Sequence, residues 1–425
     1  MLGLLAALRN PTLLRVARPS VVTRSVDVMR ILTVCTSTNV FGAEVVTLKM
    51  LDGFQRAGHE QLAITSIWTD GEFNRRLARL GIPEVRLPFG ALSRRLAPQP
   101  MWWTINTLVR LPWLWIGWSR LVRRFKPDVI ILTSPRHAVV LYPFTGTKPS
   151  FLIEFTYLEP TRTRQVLYRV LARKVAGFIA VSEFMRKHTI KIGAPPEKVL
   201  VVKSAVFSVA DKPRVEEECS RFPISIAGRL RVGIIGQISP HKGHGCLVDA
   251  IQLLGGKRCA LDIYIFGTGD PKYISYLKER LTQLGLGNSF HWMGYETDTP
   301  RIYRDLDICV VPSSLGDPFP TVAMEAGAYG RPVIASRAGG LPEIVEHGLT
   351  GWLVEPNNPK DLAERIQGFI ESPAAIEKMG KAARSRIFSQ FTQEKMVREL
   401  EEIFRDVTPK HKKFCPAMHP NSSAV

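Results

Sequence analysis

Residues 313–343 read SSLGDPFPTVAMEAGAYGRPVIASRAGGLPE, and they indicate the architecture of the chain. An apolar strand predicted over residues 307–311 leads into this stretch. A loop follows, then a helix of small residues predicted over 321–329, then a second strand predicted over 332–336. A strand, a helix and a strand in this order form the unit of a parallel sheet. The free N–H groups at the start of the helix suit a phosphate or a polarised hydroxyl.

The same alternation recurs on both sides of one break. The other strands are predicted over residues 30–35, 61–66, 128–132, 150–155 and 177–181 before the break, and over 231–235 and 261–266 after it. Residues 204–223 interrupt both periodicities with a proline and an acidic run, as a linker does. The sequence therefore predicts an α/β fold of two tandem Rossmann-like, doubly wound domains that face each other across a cleft. The predicted segments are an N-terminal extension (1–28), a first domain (29–207), a linker (208–223), a second domain (224–390), a C-terminal helix packing back on the first domain (391–407) and a disordered tail (408–425).

Composition and charge narrow the functional classes. The chain is 45% hydrophobic and 22% charged, which excludes a disordered or collagen-like protein. Its net charge of +19 is concentrated in residues 1–220, which hold 32 basic and 16 acidic residues. A basic first half favours an anionic membrane surface or another polyanion, but no recognition motif for nucleic acid accompanies it. Six cysteines without a C-x-x-C pair predict reduced thiols in a cytoplasmic protein.

The N-terminal extension has two interpretations. It holds four arginines before its first acidic residue, between Leu-rich and Ala-rich stretches, which suits a targeting or anchoring segment. A start site assigned too early explains it equally, because a strand begins at Met29 in the manner of a cytosolic protein.

Two acids in the quoted stretch are candidate ligands for sugar hydroxyls. Asp317 precedes the predicted helix and Glu325 lies about one turn into it. Carboxylates accept two hydroxyl hydrogen bonds at once, and such charge-assisted bonds are strong. Taken alone, the pair is weak evidence, because an Asp before a helix is more often an N-cap and a Glu on a helix is more often solvated.

With its flanks, the stretch resembles the signature of the GT-B glycosyltransferases of family four, the glycosyl transferases group 1. That signature is an acid, seven residues, a Glu, a small-residue helix, a Gly-x-Pro-Val strand and a Gly-Gly-x-Pro-Glu turn. The resemblance implies a GT-B fold and a hexosyl transfer from a nucleotide-diphosphate-sugar, with retention of anomeric configuration. It implies no metal and no cofactor, since the nucleotide-sugar is a substrate. The implied acceptor is a membrane-associated glycolipid or polysaccharide of cell envelope biosynthesis.

The same resemblance assigns roles to individual residues. Glu325 would hold the ribose hydroxyls, and Asp317 would orient the sugar hydroxyls. Lys242 would offset the negative charge that accumulates on the departing diphosphate. The implied catalytic residues are Asp317 and Lys242, and the implied donor-binding residues are Glu325, Gln237, Gly42, Phe319, Pro320, Thr321, Val322 and Gly267.

Several positions depart from the family pattern. Residues 236–243 read GQISPHKG, with Gln237 where the family usually has an arginine. Residues 39–44 read NVFGAE, where the family shows Gly-Gly-Ala-Glu; Gly42 matches this pattern, or simply starts a helix. Gly267 belongs to a G-x-G turn, which is weak evidence for a dinucleotide site.

Two elements of the family pattern are missing. No histidine follows the strand predicted over 150–155, and residues 204–207 read SAVF in place of Asn-Gly-Val-Asp. Glu154 or His137 are possible substitutes for the histidine, with a structural role as the alternative for each. The departures leave open a non-catalytic GT-B protein that binds membrane or polyanion, and a nucleotide-sugar epimerase. Asp305 and Asp307 are interpreted as element boundaries and not as a metal site.

Residues 101–126 hold five of the eight tryptophans together with several arginines. This combination suits a bilayer interface, where aromatic rings lie at headgroup depth and cations meet anionic lipid. A core helix of the first domain is the alternative. No stretch reaches about 18 consecutive apolar residues, so we expect peripheral binding to the cytoplasmic membrane face and no spanning helix.

Overall fold

The computed structural model describes residues 28–37, 40–69, 71–89, 98–221 and 228–408. The N-terminal extension up to residue 27, the tail from residue 409 and Asn39 lie outside the described residues. Within the described ranges two sheets form the frame, one of seven strands and one of six, and all pairs of neighbouring strands are parallel. This confirms the predicted α/β class with two parallel sheets in tandem.

The first sheet has the strand order β3-β2-β1-β4-β5-β6-β7. Its order reverses between β1 and β4, which is the topological switch point where open α/β sheets bind ligands. The strands are β1 (Arg30–Val34), β2 (Glu60–Ser66), β3 (Glu84–Leu87), β4 (Val129–Leu132), β5 (Ser150–Glu154), β6 (Gly177–Ala180) and β7 (Val199–Val201). Its helices are α1 (Gly42–Arg56), α2 (Glu72–Arg79), α3 (Pro98–Phe125), α4 (Pro135–Val140), α5 (Arg162–Ala172) and α6 (Glu183–Lys191), and α7 (Lys212–Arg221) follows in the connection to the second sheet.

The second sheet has the order β10-β9-β8-β11-β12-β13, with its switch point between β8 and β11. The strands are β8 (Leu230–Ile235), β9 (Leu261–Phe266), β10 (Phe290–Gly294), β11 (Ile308–Val311), β12 (Val333–Ser336) and β13 (Gly351–Val354). The helices are α8 (His244–Leu253), α9 (Pro271–Gln283), α10 (Thr299–Tyr303), α11 (Thr321–Ala328), α12 (Leu341–Ile344), α13 (Pro359–Glu371), α14 (Ala374–Gln390) and α15 (Gln393–Val407).

Four strands escaped the sequence analysis, and all four are edge strands of their sheets. They are β3, β7, β10 and β13. Central strands such as β4, with sequence VIIL, are buried along their whole length and appear as apolar runs. Most edge strands mix buried and partly exposed positions, as in β10, with sequence FHWMG, so they lack the apolar run that identifies a central strand.

Helix α1 links the first domain to the C-terminal end of the chain. Its start is capped by Glu44, whose carboxylate accepts a hydrogen bond from the amide of Phe41 at 3.0 Å. Helix α15 lies against it, and Gln393 Nε2 donates to Asp52 Oδ2 at 2.9 Å. A second contact joins His59 Nε2 and Glu401 Oε1 at 3.0 Å. The C-terminal helix therefore rests on the first domain.

The chain crosses between the two domains twice, and the crossings are adjacent. Phe207 on the first crossing forms a parallel bridge with Thr392 on the second. The amide of Gln393 also donates to the carbonyl of Phe207 at 2.8 Å. The segment predicted as a linker is not extended throughout, because it contains helix α7.

Two further observations concern the state of the cysteines and the ability of the helices to cross a membrane. The described cysteines, Cys35, Cys219, Cys246, Cys259 and Cys309, are all free thiols. None of the helices in the described ranges combines the length and the apolar character that crossing a bilayer requires.

Glu154, at the end of β5, is a buried acid in the first domain. The Tyr168 hydroxyl donates to Glu154 Oε2 at 3.0 Å, while Glu154 Oε1 has no hydrogen-bond partner among the described residues. Burial raises the pKa of the Glu154 carboxyl to about 8, and the hydrogen bond from Tyr168 offsets this only in part. The carboxyl is therefore mainly protonated at neutral pH.

This raised pKa predicts a pH-dependent stability. Between about pH 4.5 and about pH 8 the unfolded chain releases the Glu154 proton while the folded chain keeps it, so stability falls as the pH rises. The slope reaches at most about 1.4 kcal/mol per pH unit. We expect Glu154→Gln, which retains an acceptor for Tyr168, to flatten this decline in a series of urea denaturations from pH 5 to pH 8. Parallel pH profiles of the two proteins would contradict the assignment.

Candidate active site

The carboxyl ends of β8 and β11 face the amino end of α1 across a cleft. A cavity of about 340 Å³ lies there and is lined by residues of both domains. Eight of the ten residues that the sequence assigned to the site line it: Gly42, Gln237, Lys242, Asp317, Phe319, Pro320, Thr321 and Val322. Glu325 and Gly267, both within the described ranges, are not part of the lining. The switch point of the second sheet, between β8 and β11, thus opens into the cavity opposite the start of α1.

Lys242 and Asp317 form the central contact of the cavity. Lys242 Nζ lies 2.7 Å from Asp317 Oδ1 and 2.8 Å from Oδ2, so the ammonium bridges both carboxylate oxygens. The Ser313 hydroxyl donates to Asp317 Oδ2 at 2.9 Å. Both charged side chains are mostly buried, with 27% of Lys242 and 17% of Asp317 exposed. The two loops that carry them, after β8 and after β11, are thereby joined.

Two helix N-termini meet in this cavity. Gly42 begins α1 and Thr321 begins α11, and a Cβ atom at Gly42 would lie 3.3 Å from Thr321 Oγ1. Neither helix start has a side-chain hydrogen bond from its N-cap residue, Phe41 or Pro320. Free N–H groups and the positive ends of the two helix dipoles therefore point at the same space, which suits an anion.

The loop that carries Lys242 needs glycine at its end. Gly243 has φ +78°, and a Cβ atom there would collide with the carbonyl of Pro312 at the end of β11. A side chain would therefore be strained by the backbone conformation and would also push the two strand-end loops apart. The Lys-Gly pair noted in the sequence is explained by this close approach.

Gly267 is explained by packing in a similar way. A Cβ atom there would collide with the carbonyl of Gly236, the residue that follows β8. The glycine thus brings the loops after β9 and β8 together, and a contact of Gly267 with a nucleotide stays a prediction.

Glu325 lies beside the cavity, one turn into α11. The hydroxyl of the buried Tyr303 donates to Glu325 Oε2 at 3.1 Å. Burial raises the pKa of the Glu325 carboxyl, and the hydrogen bonds from Tyr303 and Thr321 lower it again in part. Tyr303 fixes the carboxylate in one orientation, and nothing in the sequence around residue 303 indicated this role.

His244 is a second residue that the sequence analysis missed. It lines the cavity at the start of α8, only 3% of it is exposed, and neither ring nitrogen has a side-chain hydrogen-bond partner in the described chain. Burial lowers the pKa of the His244 imidazole to about 4, so the ring is neutral at physiological pH. The sequence feature that could have identified His244 is its position directly after Lys242-Gly243.

Residues of the first domain also contact the loop after β11 and helix α12 of the second domain. The Ser182 hydroxyl donates to the carbonyl of Pro318 at 2.7 Å, and the amide of Phe184 donates to Glu343 Oε1 at 3.0 Å. Lys203 Nζ lies 3.3 Å from Glu343 Oε2. These contacts join residues more than a hundred positions apart, so no local motif announced them.

The two possible substitutes for the missing histidine lie outside the cavity lining. His137 is buried, its Nε2 lies 2.8 Å from Thr36 Oγ1, and burial lowers the pKa of its imidazole to about 3. Glu154 is bound to Tyr168 as described. Asp307 is fully buried and bonded to Arg231, with Oδ1 2.7 Å from Arg231 NH2. The described residues contain no group of three or more His, Cys, Asp or Glu side chains suited to a metal ion.

The bridge between Lys242 and Asp317 predicts a measurable coupling. We expect Lys242→Met and Asp317→Asn each to lower the free energy of unfolding by about 1–2 kcal/mol, because each leaves a partly buried group with fewer partners. The double variant should lose less than the sum, by about 1 kcal/mol, in urea denaturation monitored by fluorescence. Strictly additive effects would show that the two side chains do not interact in solution.

Comparison with known proteins places the chain in a family. Residues 218–386 match the family described as glycosyl transferases group 1, and residues 41–204 match the glycosyl transferase 4-like domain. The spore coat protein SA of Bacillus subtilis (strain 168) is 28% identical over 54% of this chain and 65% of its own length. The amylovoran biosynthesis glycosyltransferase AmsK of Erwinia amylovora is 25% identical over 53% of this chain and 55% of its own length. The matched region thus spans less than two thirds of these relatives.

Solved structures extend the likeness to both domains. The Anabaena protein Alr3699/HepE, crystallised in complex with UDP-glucose, superposes with a TM-score of 0.72 at 22% sequence identity. The superposition covers 89% of this chain and 100% of the Anabaena chain. The two family matches together run from residue 41 to residue 386, and the likeness includes both sheets. The chain is therefore a member of the group 1 glycosyl transferases with the GT-B fold.

Proposed function

We propose that the protein is a glycosyltransferase that moves a hexosyl group from a nucleotide-diphosphate-sugar to an acceptor, with retention of anomeric configuration. The observation that carries the proposal is the Lys242–Asp317 pair, placed in a cavity into which the N-termini of α1 and α11 both point. Membership of the group 1 glycosyl transferases supports it.

The donor diphosphate would occupy the cavity into which the two helix starts open. Free N–H groups at Gly42 and Thr321, together with the Lys242 ammonium, offer it hydrogen bonds and positive charge. Lys242 would then exchange one anionic partner, Asp317, for another. The released Asp317 oxygens, together with the backbone between Phe319 and Val322, would accept and orient the hydroxyls of the transferred sugar.

Glu325 would hold the ribose hydroxyls of the donor. Its carboxyl is already oriented by hydrogen bonds from Tyr303 and Thr321, and a ribose diol would use the acceptor capacity that remains. Because Glu325 lies beside the lined cavity and not within it, the ribose would extend the occupied region towards α10 and α11.

The reaction needs few side chains. The bond between the anomeric carbon and the diphosphate oxygen breaks, the acceptor oxygen bonds to the same carbon, and the acceptor proton passes to the leaving phosphate oxygen. Lys242 and the helix N-termini would stabilise the charge that develops on that phosphate. We propose that no metal or cofactor takes part.

The acceptor is proposed to be a membrane-associated glycolipid or a polysaccharide of the cell envelope, reached from the cytoplasmic face of the membrane. The relative from Erwinia amylovora is named for the biosynthesis of amylovoran. The basic first half of the chain supports an acceptor at an anionic surface.

A second candidate is a non-catalytic protein of the same fold that binds membrane or polyanion. Gln237 favours it, because this neutral side chain lines the cavity where the family usually places a second cation. A nucleotide-sugar epimerase is a third candidate, and it would isomerise its sugar in the absence of any acceptor.

Donor binding can be tested by thermal shift. We expect one member of a panel of UDP, GDP, ADP and their sugar conjugates to raise the melting temperature by a few degrees, since a ligand that binds only the folded state stabilises it. UDP conjugates come first because the Anabaena structure contains UDP-glucose. Glu325→Ala should abolish the shift.

Two controls make the result interpretable. Glu377→Ala removes an exposed glutamate of α14, paired only across one helix turn with Lys381, and should leave the shift unchanged. Glu325→Gln keeps an acceptor for Tyr303, so a loss of binding in this variant does not reflect local unfolding. The absence of any shift at millimolar ligand would favour the non-catalytic candidate.

Retention predicts the configuration of the product. A donor with an α-linked sugar should give an α-linked product, identified by the coupling constant of its anomeric proton in NMR spectra. A β-linked product would exclude the retaining mechanism. Conversion of the sugar without an acceptor would indicate the epimerase.

A further inference from the structure

Helix α3 is much longer than the strands it accompanies. It has 28 residues and spans about 42 Å, whereas β4, the strand that follows it, has four residues. Gly117 packs against Leu87, the last residue of β3, and the Arg110 guanidinium lies 5.6 Å from the Trp68 ring, beyond the end of β2. The part of α3 before Gly117 therefore projects past the carboxyl edge of the first sheet, on the side of the cleft.

The projecting part exposes large apolar side chains. They recur every three or four residues along the helix, so they form one broad face. We call this the apolar face of α3; its members and their exposed fractions are Trp102 (56%), Ile105 (52%), Leu108 (53%), Val109 (61%), Trp113 (51%) and Ile116 (49%). The described residues contain other exposed apolar side chains, but these occur mostly singly, as at Val166 and Leu253.

The opposite side of the same helix is part of the core. Leu114, Trp118, Leu121 and Phe125 are buried, and Trp118 is only 2% exposed. Trp115 is half-buried, and its indole Nε1 donates to the carbonyl of Val140 at 2.9 Å. Of the two interpretations of residues 101–126, the core helix holds for the buried side and for the C-terminal half. The C-terminal half of α3 packs on the sheet, and the apolar face of α3 is a separate surface.

Charge identifies the partner that fits this face. Arg110, Arg120, Arg123 and Arg124 are exposed, and α3 contains no acidic residue along its whole length. A second copy of the chain would bring an equally basic helix to the contact and repel it. An anionic lipid surface offers phosphates to the arginines and a headgroup region to the tryptophans.

We propose that the apolar face of α3 binds the surface of an anionic phospholipid bilayer, with its arginines on lipid phosphates. Because the projecting part lies on the cleft side of the first sheet, binding places the cleft near the membrane surface. A lipid-linked acceptor would then reach the cavity without leaving the bilayer. This last consequence rests on the proposed function, whereas the binding itself does not.

The test measures sedimentation with vesicles of phosphatidylcholine alone and of phosphatidylcholine with phosphatidylglycerol. We expect the full chain to partition onto the anionic vesicles at least tenfold more strongly than onto the neutral ones. The triple variant Val109→Gln/Trp113→Gln/Ile116→Gln should reduce this partition at least tenfold. Arg120→Gln/Arg123→Gln should reduce it several-fold and weaken its dependence on salt.

A matched control removes exposed apolar side chains from the second domain. Leu253→Gln/Tyr276→Gln/Met293→Gln changes residues that are 59%, 51% and 50% exposed, and it should partition like the wild type. Circular dichroism and the melting temperature verify that each variant folds. Because the changed side chains are exposed, we expect melting temperatures close to that of the wild type.

Three outcomes would overturn the proposal. The first is an unchanged partition of the folded triple variant, and the second is equal binding to neutral and anionic vesicles. The third is a triple variant that converts a dimer to a monomer in sedimentation velocity while its partition stays the same, which would make the face an interface between copies. Partition needs no nucleotide, so a protein that binds vesicles but no donor would disprove the proposed function and leave this inference standing.

Discussion

The candidate site depends on a contact between two stretches of backbone that leaves no room for side chains. Gly339 has φ +62°, and a Cβ atom there would collide with the backbone of Asp317. The amide of Gly340 donates to the carbonyl of Asp317 at 2.8 Å, which fixes the peptide that precedes α11. With the loop held from this side, the Asp317 carboxylate points at Lys242 and the first turn of α11 opens into the cavity. The Gly-Gly-x-Pro-Glu turn of the sequence is thus a support for the loop.

Sequence alone predicted the parts of the fold and site that local chemistry determines. Central strands such as β4 were predicted because burial on both faces makes them continuously apolar. The loops after β8 and β11 were predicted because each follows an apolar strand and carries a short motif, Lys242-Gly243 in the first and Asp317 before a small-residue helix in the second. Edge strands were not predicted, because their partial exposure gives them a mixed pattern of apolar and polar residues. Tyr303 beside Glu325, and Ser182 against Pro318, depend on distant packing, which no motif records.

Helix α3 shows a different limit of sequence analysis. Trp113 is half exposed and Trp118 is buried, although both belong to the same aromatic segment. A helix that is apolar on two sides has little amphipathic asymmetry, so periodicity could not say which tryptophan faces the sheet. Only the contacts of α3 with Leu87 and Val140 show which side of the helix packs on the core and which side is exposed.

The bridge between Phe207 and Thr392 constrains how the two domains can move. Two chain crossings that are hydrogen-bonded side by side resist sliding and shear, because either motion would break the bridge and the bond from the Gln393 amide to Phe207. They permit a small rotation about an axis through the pair. The cleft would therefore widen by a hinge rotation about this axis, with the two paired crossings as the hinge.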